Sequence, residues 1–212
     1  MTPAREVPTP LGPARVHRTD PPGAVLGTLV LGHGAGGGVD GADLLAVTDA
    51  AAGAGWRVLL VEQPWKVAGK RIAPAPPRLD EGWTAALAEL RGSWLDGPLV
   101  LGGRSAGARV ACRTAAAQGA AGVLALAFPL HPPGKPEKSR AAELALVDVP
   151  LLVVQGETDA FGRPAEVAAA LTGSAGEVRG VPGDHALKKD PRAVATAALD
   201  WLAGLQASSR HP

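Results

Sequence analysis

Short apolar runs bounded by glycine or proline alternate with segments of helical periodicity along most of this chain. Runs such as LLVV and VLALAF are apolar throughout rather than at every second position, as expected when helices cover both faces of a parallel sheet. The pattern predicts an α/β fold, with a compact, mostly parallel sheet of about six or seven strands and helices on both faces. The predicted strands are 24–32, 57–62, 98–103, 123–129, 150–155 and 177–181.

Five segments between these strands have the spacing of amphipathic or capped helices. They are 40–52, 79–94, 105–118, 164–171 and 190–205. Two longer stretches, 63–78 and 131–138, show neither pattern and are expected to be loops, the second leading into a short helix at 139–146.

The length of 212 residues favours one domain. We expect a weak N-terminal edge segment at 1–23, at most a hairpin, then a single domain over 24–207 and a C-terminal tail at 208–212. A chain this short leaves no room for an additional cap domain over the sheet.

The composition excludes several classes of protein. The chain has no Tyr, which excludes any mechanism in which a tyrosine acts as the acid. With one Cys it has no internal disulfide and no Cys-ligated iron–sulfur cluster. The 21 basic residues balance 20 acidic ones, so nucleic acid is not expected as a partner. The apolar runs are too short to cross a bilayer and the first residues lack a signal-peptide core, so we expect a cytoplasmic protein that does not enter a membrane.

The pentapeptide Gly103-Arg104-Ser105-Ala106-Gly107 lies between a predicted strand and a predicted helix. A G-x-S-x-G sequence in this context is typical of a nucleophile elbow, where a serine occupies a strained strand-to-helix turn. An ordinary turn serine is the alternative interpretation.

A serine nucleophile needs a base and an orienting acid, and both residue types follow later predicted strands. Asp159 follows strand 150–155 and His185 follows strand 177–181, so all three side chains are expected at the carboxyl ends of parallel strands. The chain order serine, aspartate, histidine is the one used by α/β-hydrolases. Taken singly, Asp159 is also compatible with a turn residue and His185 with a solvated loop histidine.

A glycine loop at 32–38, GHGAGGG, follows the first strand of the main sheet. We expect the backbone N–H groups of Ala35 and Ala106 to form an oxyanion hole beside Ser105. The loop also matches the dinucleotide pattern G-x-G-x-x-G, with Glu62 as the ribose ligand, but this Rossmann alternative leaves Ser105, Asp159 and His185 unexplained.

Five segments together carry a resemblance to a known group of proteins: GHGAGGG, GGRSAG, HPPGKPEK, QGETDAFG and the GDH of 183–185. In these segments the chain resembles the small α/β-hydrolases of the KANL3/Tex30 type, which are related to dienelactone hydrolases. The resemblance implies an α/β-hydrolase fold with Ser105 as nucleophile, Asp159 as acid and His185 as base. It implies no particular substrate, and Ser105 stands where dienelactone hydrolases carry cysteine.

The function expected is hydrolysis of an ester, thioester or similar acyl bond of a small molecule, with no metal and no organic cofactor. Further candidates for substrate binding are His33, Gly34, Arg104 and His131. Six cations could form a positive rim for an anionic substrate or simply a solvated surface: Lys66, Lys70, Arg71, Arg104, Lys135 and Lys138. A non-catalytic interaction module on the same fold is the second hypothesis, and the oligomeric state stays open.

Overall fold

The computed structural model describes residues 4–171 and 176–208 and contains an eight-stranded sheet. Its strands are β1 (Arg5–Val7), β2 (Ala14–Thr19), β3 (Gly27–Gly32), β4 (Trp56–Glu62), β5 (Leu99–Arg104), β6 (Gly122–Leu126), β7 (Leu151–Gly156) and β8 (Gly176–Val181). They lie in the order β1-β2-β4-β3-β5-β6-β7-β8. All six predicted strands are present, and the fold class is confirmed.

The first two strands account for the difference between eight strands and the six or seven predicted. Strands β3 to β8 are parallel, whereas β2 pairs antiparallel with both β1 and β4. In this hairpin the buried residues are Val7, Ala14 and Val16. Only these few positions of the hairpin are buried, so its sequence has no continuous apolar run and gives only a weak signal for strands.

Helices cover both faces of the sheet, as predicted. They are α1 (Ala42–Gly53), α2 (Pro64–Val67), α3 (Pro76–Leu90), α4 (Ala106–Gln118), α5 (Ala141–Leu144), α6 (Pro164–Ala170) and α7 (Pro191–Ser208). Trp83 of α3 and Ala111 of α4 belong to the apolar core on one face, and Leu44 of α1 and Trp201 of α7 to the core on the other. The predicted tail begins at the last residue of α7, and residues 209–212 lie outside the described residues.

The helix predicted at 79–94 begins and ends earlier than expected. Prolines at the first positions of α3 start it at Pro76, because their fixed φ suits the first helical turn. The helix ends at Leu90, so Trp94 lies beyond it, with the guanidinium of Arg18 4.9 Å from its ring centroid. The stretch 63–78, predicted to be a loop, therefore contains α2 and the start of α3.

The connection between β6 and β7 holds the second predicted loop and a short 3-10 turn at Pro136–Lys138, followed by α5. No connection within the described ranges contains an inserted cap domain. In the same ranges, no helix is both long and apolar enough to cross a bilayer.

The strand order overturns the Rossmann alternative. In a Rossmann sheet the third parallel strand pairs with the second. Here the third parallel strand is β5, and it pairs with β3, which is the first parallel strand. Glu62 accepts from Arg15 at 3.3 Å and lies 3.5 Å from His17, so its carboxylate is bound to the N-terminal hairpin.

Candidate active site

Ser105 occupies a strained turn between β5 and α4. Its backbone has φ 54° and ψ −107°, a positive φ that is uncommon for a residue with a side chain. A Cβ on Gly103 would lie 2.4 Å from the Gly32 carbonyl oxygen, and a Cβ on Gly107 would lie 2.5 Å from the same oxygen. The close approach of β3 therefore requires glycine on both sides of the turn, as the G-x-S-x-G pattern predicts.

The structure brings Ser105, His185 and Asp159 into one hydrogen-bonded chain. The Oγ of Ser105 lies 2.9 Å from Nε2 of His185, and Nδ1 of His185 lies 2.8 Å from Oδ2 of Asp159. With Nδ1–H donating to the carboxylate, Nε2 is free to accept the serine proton. Asp159 follows β7 and His185 follows β8, so the three side chains meet at the carboxyl ends of the strands.

The carboxylate of Asp159 is buried and held by two donors besides His185. The Phe161 N–H donates to Oδ1 at 2.8 Å, and Nε2 of Gln155, itself fully buried, donates to Oδ2 at 2.8 Å. Gln155 Nε2 also lies 2.7 Å from the Gly162 carbonyl oxygen. These bonds fix the orientation of the carboxylate that faces His185.

Gln155 and Phe161 are site residues that the sequence analysis missed. The ring of Phe161 stacks on the imidazole of His185, with centroids 4.1 Å apart and planes 28° from parallel. In the sequence, Gln155 is marked only as the polar residue near the end of the apolar strand LLVVQG. Phe161 is marked only as an aromatic residue two positions after Asp159.

The glycine loop lies against the serine. A Cβ on Gly34 would be 3.5 Å from Cβ of Ser105, so Gly34 lies beside the serine. Among the described residues, no acceptor takes the N–H of Ala35 or that of Ala106 at the start of α4. Both N–H groups are therefore without an acceptor within the described residues, in the two segments that adjoin Ser105.

His33 uses both ring nitrogens within the chain. Its Nδ1–H donates to the Gly34 carbonyl at 2.9 Å, and its Nε2 accepts from the Gln63 N–H at 3.1 Å. Burial lowers the pKa of this imidazole, which keeps it neutral. The geometry favours a role in shaping the glycine loop over a hydrogen bond to substrate.

Arg104 is also engaged within the chain. Its Nε lies 3.8 Å from Oδ2 of Asp43, and its Nη1 donates to the Ala186 carbonyl at 3.4 Å. The Nη2 atom occupies the space beside Gly37, where a Cβ would be only 2.7 Å away. The guanidinium therefore contacts the glycine loop, α1 and the loop after β8 that carries His185.

The observed contacts of His131 lie outside the serine turn. Its Nδ1–H donates to the Pro132 carbonyl at 3.0 Å and its Nε2 lies 3.5 Å from Oε1 of Glu166 on α6. Its backbone N–H donates to the Phe161 carbonyl at 3.0 Å. The structure thus places His131 as a support for the loop that carries Asp159.

Residues 26–211 match a family model described as an alpha/beta hydrolase domain. The chain belongs to this α/β-hydrolase family. No curated protein is significantly similar to it in sequence.

Solved structures resemble the chain over nearly its whole length. An alpha-beta serine hydrolase homologue from Coxiella burnetii is 18% identical with a TM-score of 0.74, covering 98% of this chain and 97% of that one. XC6422 from Xanthomonas campestris, a serine hydrolase described as lacking a lid, is 21% identical with a TM-score of 0.71, covering 98% and 93%. A dienelactone hydrolase from Anabaena variabilis is 18% identical with a TM-score of 0.74, covering 95% and 96%. At these identities the likeness shows the fold, which dienelactone hydrolase-like proteins share.

Proposed function

We propose that this protein is a serine hydrolase that cleaves an ester, thioester or related acyl bond of a small molecule. The observation that carries the proposal is the 2.9 Å contact between Oγ of Ser105 and Nε2 of His185, at a strained turn with free N–H donors beside it. A serine hydroxyl is a weak nucleophile by itself and needs an adjacent base with a fixed tautomer.

In the first step, Oγ of Ser105 attacks the acyl carbonyl carbon while Nε2 of His185 takes the hydroxyl proton. The buried carboxylate of Asp159, bonded to Nδ1 at 2.8 Å, orients the imidazole and stabilises its positive charge. The negative charge that develops on the carbonyl oxygen is received by the N–H groups of Ala35 and Ala106.

Collapse of the tetrahedral intermediate then breaks the bond to the leaving group, which takes the proton from Nε2 of His185. The acyl group remains on Ser105 as an ester. Water, deprotonated by His185, attacks this ester, and the second tetrahedral intermediate releases the carboxylic acid and restores the serine hydroxyl.

The space beside the serine turn favours a small or extended acyl group. The cavity bounded by His33, Trp83, Ala106 and Val110 holds about 10 Å³, which is room for about one water molecule. A long acyl chain has no place to be buried there. The described residues form no cap over the site, and the lidless serine hydrolase from Xanthomonas campestris offers a parallel.

We also propose the subgroup of α/β-hydrolases to which this protein belongs. The segment HPPGKPEK favours the KANL3/Tex30 type among α/β-hydrolases, and the dienelactone hydrolase neighbour supports the wider kinship. The proposed setting is cytoplasmic, with a small-molecule acyl compound as the partner.

Hydrolysis of aryl esters tests the proposal. We expect release of the chromogenic alcohol from acetyl and butyryl esters, with dodecanoyl esters turned over more slowly, and loss of turnover in Ser105→Ala. A folded wild-type protein that cleaves none of these esters or their thioester analogues would support the alternative of a non-catalytic module.

A further inference from the structure

A cleft opens beside the glycine loop, next to the proposed oxyanion hole. One wall is formed by Ala35 and Gly36 and the opposite wall by residues of the segment 65–71, enclosing about 290 Å³. Because Ala35 belongs both to this cleft and to the proposed oxyanion hole, a substrate whose carbonyl is bound by Ala35 has part of its structure in the cleft or at its mouth.

Three cations line this cleft: Lys66, Lys70 and Arg71. Within residues 4–171 and 176–208, none of the three forms an ion pair, and no acidic side chain lines the cleft. The Lys66 side chain runs along the glycine loop, since a Cβ on Gly38 would lie 3.8 Å from its Cε. Oδ1 of Asp40 would lie 2.8 Å from the same Cβ position, so one carboxylate is near Lys66.

The cations of this cleft do not reflect a strongly basic chain. The whole chain carries a formal net charge of only +1. The other three cations that the sequence suggested for a positive rim do not line the cleft. Arg104 is paired with Asp43, and neither Lys135 nor Lys138 lines the cleft. Clustered cations without ion-pair partners in a concave site attract ligands of the opposite sign.

The segment that carries the cations is ordered by its own hydrogen bonds. The Lys70 N–H donates to the Trp65 carbonyl at 3.0 Å, and the Ala68 N–H donates to the Pro64 carbonyl at 2.9 Å. The Trp65 side chain is buried and anchors the turn. The cations are therefore presented by a fixed backbone, which reduces the entropy lost on binding a ligand.

From these observations we infer that the acyl substrate carries a second, anionic group, a carboxylate or a phosphate, that binds Lys66, Lys70 and Arg71 in this cleft. The inference rests on the proposed function, because it uses Ala35 to place the reacting carbonyl. The substrates are then acyl esters or thioesters with an anion on the portion that extends past Ala35. The cavity beside Ala106 holds about 10 Å³, whereas the cleft beside Ala35 holds about 290 Å³, so the cleft has room for that portion.

The experiment compares matched aryl esters that differ only in the distal end of the acyl group: neutral (butyryl), carboxylate (succinyl) and phosphonate. The readout is the ratio of kcat/KM for each anionic ester to that for the neutral one. In the wild type we expect this ratio to exceed one and to fall when ionic strength rises from about 0.05 M to about 0.5 M. The double variant Lys70→Gln/Arg71→Gln should lower the ratio by about tenfold.

The matched control is Lys135→Gln/Lys138→Gln, which removes two positive charges outside the cleft and should leave the ratio unchanged. The carboxylate and phosphonate arms identify which anion the cleft prefers. Equal ratios in the wild type and the cleft variant, with the neutral ester still cleaved, would overturn the inference while the proposed function stands. Failure of the folded protein to cleave any ester would instead count against the proposed function itself.

Discussion

Arg104, the residue before Ser105, forms a largely buried ion pair with Asp43 of α1. The Nε of Arg104 lies 3.8 Å from Oδ2 of Asp43, whose side chain has no exposed surface. Burial raises the pKa of the Asp43 carboxyl, and the Arg104 charge opposes that shift. Since Arg104 precedes Ser105 and also contacts the glycine loop and Ala186, this pair joins the three segments that carry the proposed chemistry.

Arg104→Met should destabilise the protein and distort the site. The change leaves the Asp43 carboxyl buried without its cation, and breaking a buried pair by removing one partner costs about 3 kcal/mol of unfolding free energy. Urea unfolding at neutral pH measures this difference. Adding Asp43→Asn removes the unpaired charge, so the double variant should be more stable than Arg104→Met alone. A single variant as stable as the wild type would show that the pair contributes nothing.

Glu143 gives a pH-dependent contribution to stability. It accepts from Arg109 at 2.5 Å and from Arg113 at 3.0 Å, which ties α5 to α4. Burial raises the pKa of this carboxyl, but the hydrogen bonds and charges of the two arginines outweigh burial and lower it. The stabilisation is therefore present above the unfolded-state pKa of about 4.3 and is lost as the pH falls through the lower folded-state value.

Glu143→Gln should accordingly lower the unfolding free energy at pH near 7 by about 2 kcal/mol. Unfolding in urea at a series of pH values measures the difference between the two proteins. That difference should shrink as the medium becomes more acidic, because the wild-type carboxylate is then protonated. A difference that does not change with pH would contradict an ionised Glu143 as its source.

Gly107→Ala should disrupt the serine turn. The added Cβ would lie 2.5 Å from backbone atoms of Gly32, a contact that only a shift of β3 or α4 can relieve. We expect a loss of about 3 kcal/mol in unfolding free energy, measured by thermal or urea unfolding. Gly53→Ala is the matched control, because nothing lies within 4 Å of the Cβ position there. Equal effects of the two substitutions would show that the close packing at Gly107 is unimportant.

The sequence predicted those parts of the site that follow from local patterns and strand order. The turn at Ser105 is encoded by two glycines around a serine. Asp159 follows the apolar strand β7, and His185 follows β8, which lies at the edge of the sheet. Parallel strands bring their carboxyl ends to one edge, so residues far apart in the chain could be expected to meet.

Tertiary packing determined what the sequence could not predict. From sequence, Arg104 is a candidate for binding an anionic substrate. Its partner Asp43 lies 61 positions away in the chain and is buried in the first turn of α1, which no local pattern reveals. Gln155 has no local motif that marks it as a partner of Asp159. The hairpin β1–β2 is stabilised by pairing with β4, which its own weak apolar pattern does not reveal.

The central claim is that Ser105 is a nucleophile activated by His185, and labelling with a fluorophosphonate probe tests it most directly. The probe forms a covalent bond with an activated serine oxygen, and mass spectrometry of the digested protein locates the adduct. We predict one adduct on Ser105 in the wild type, and none in Ser105→Ala or in a folded His185→Ala variant. Absence of labelling in the folded wild type, or labelling that persists in His185→Ala at the wild-type rate, would contradict the account.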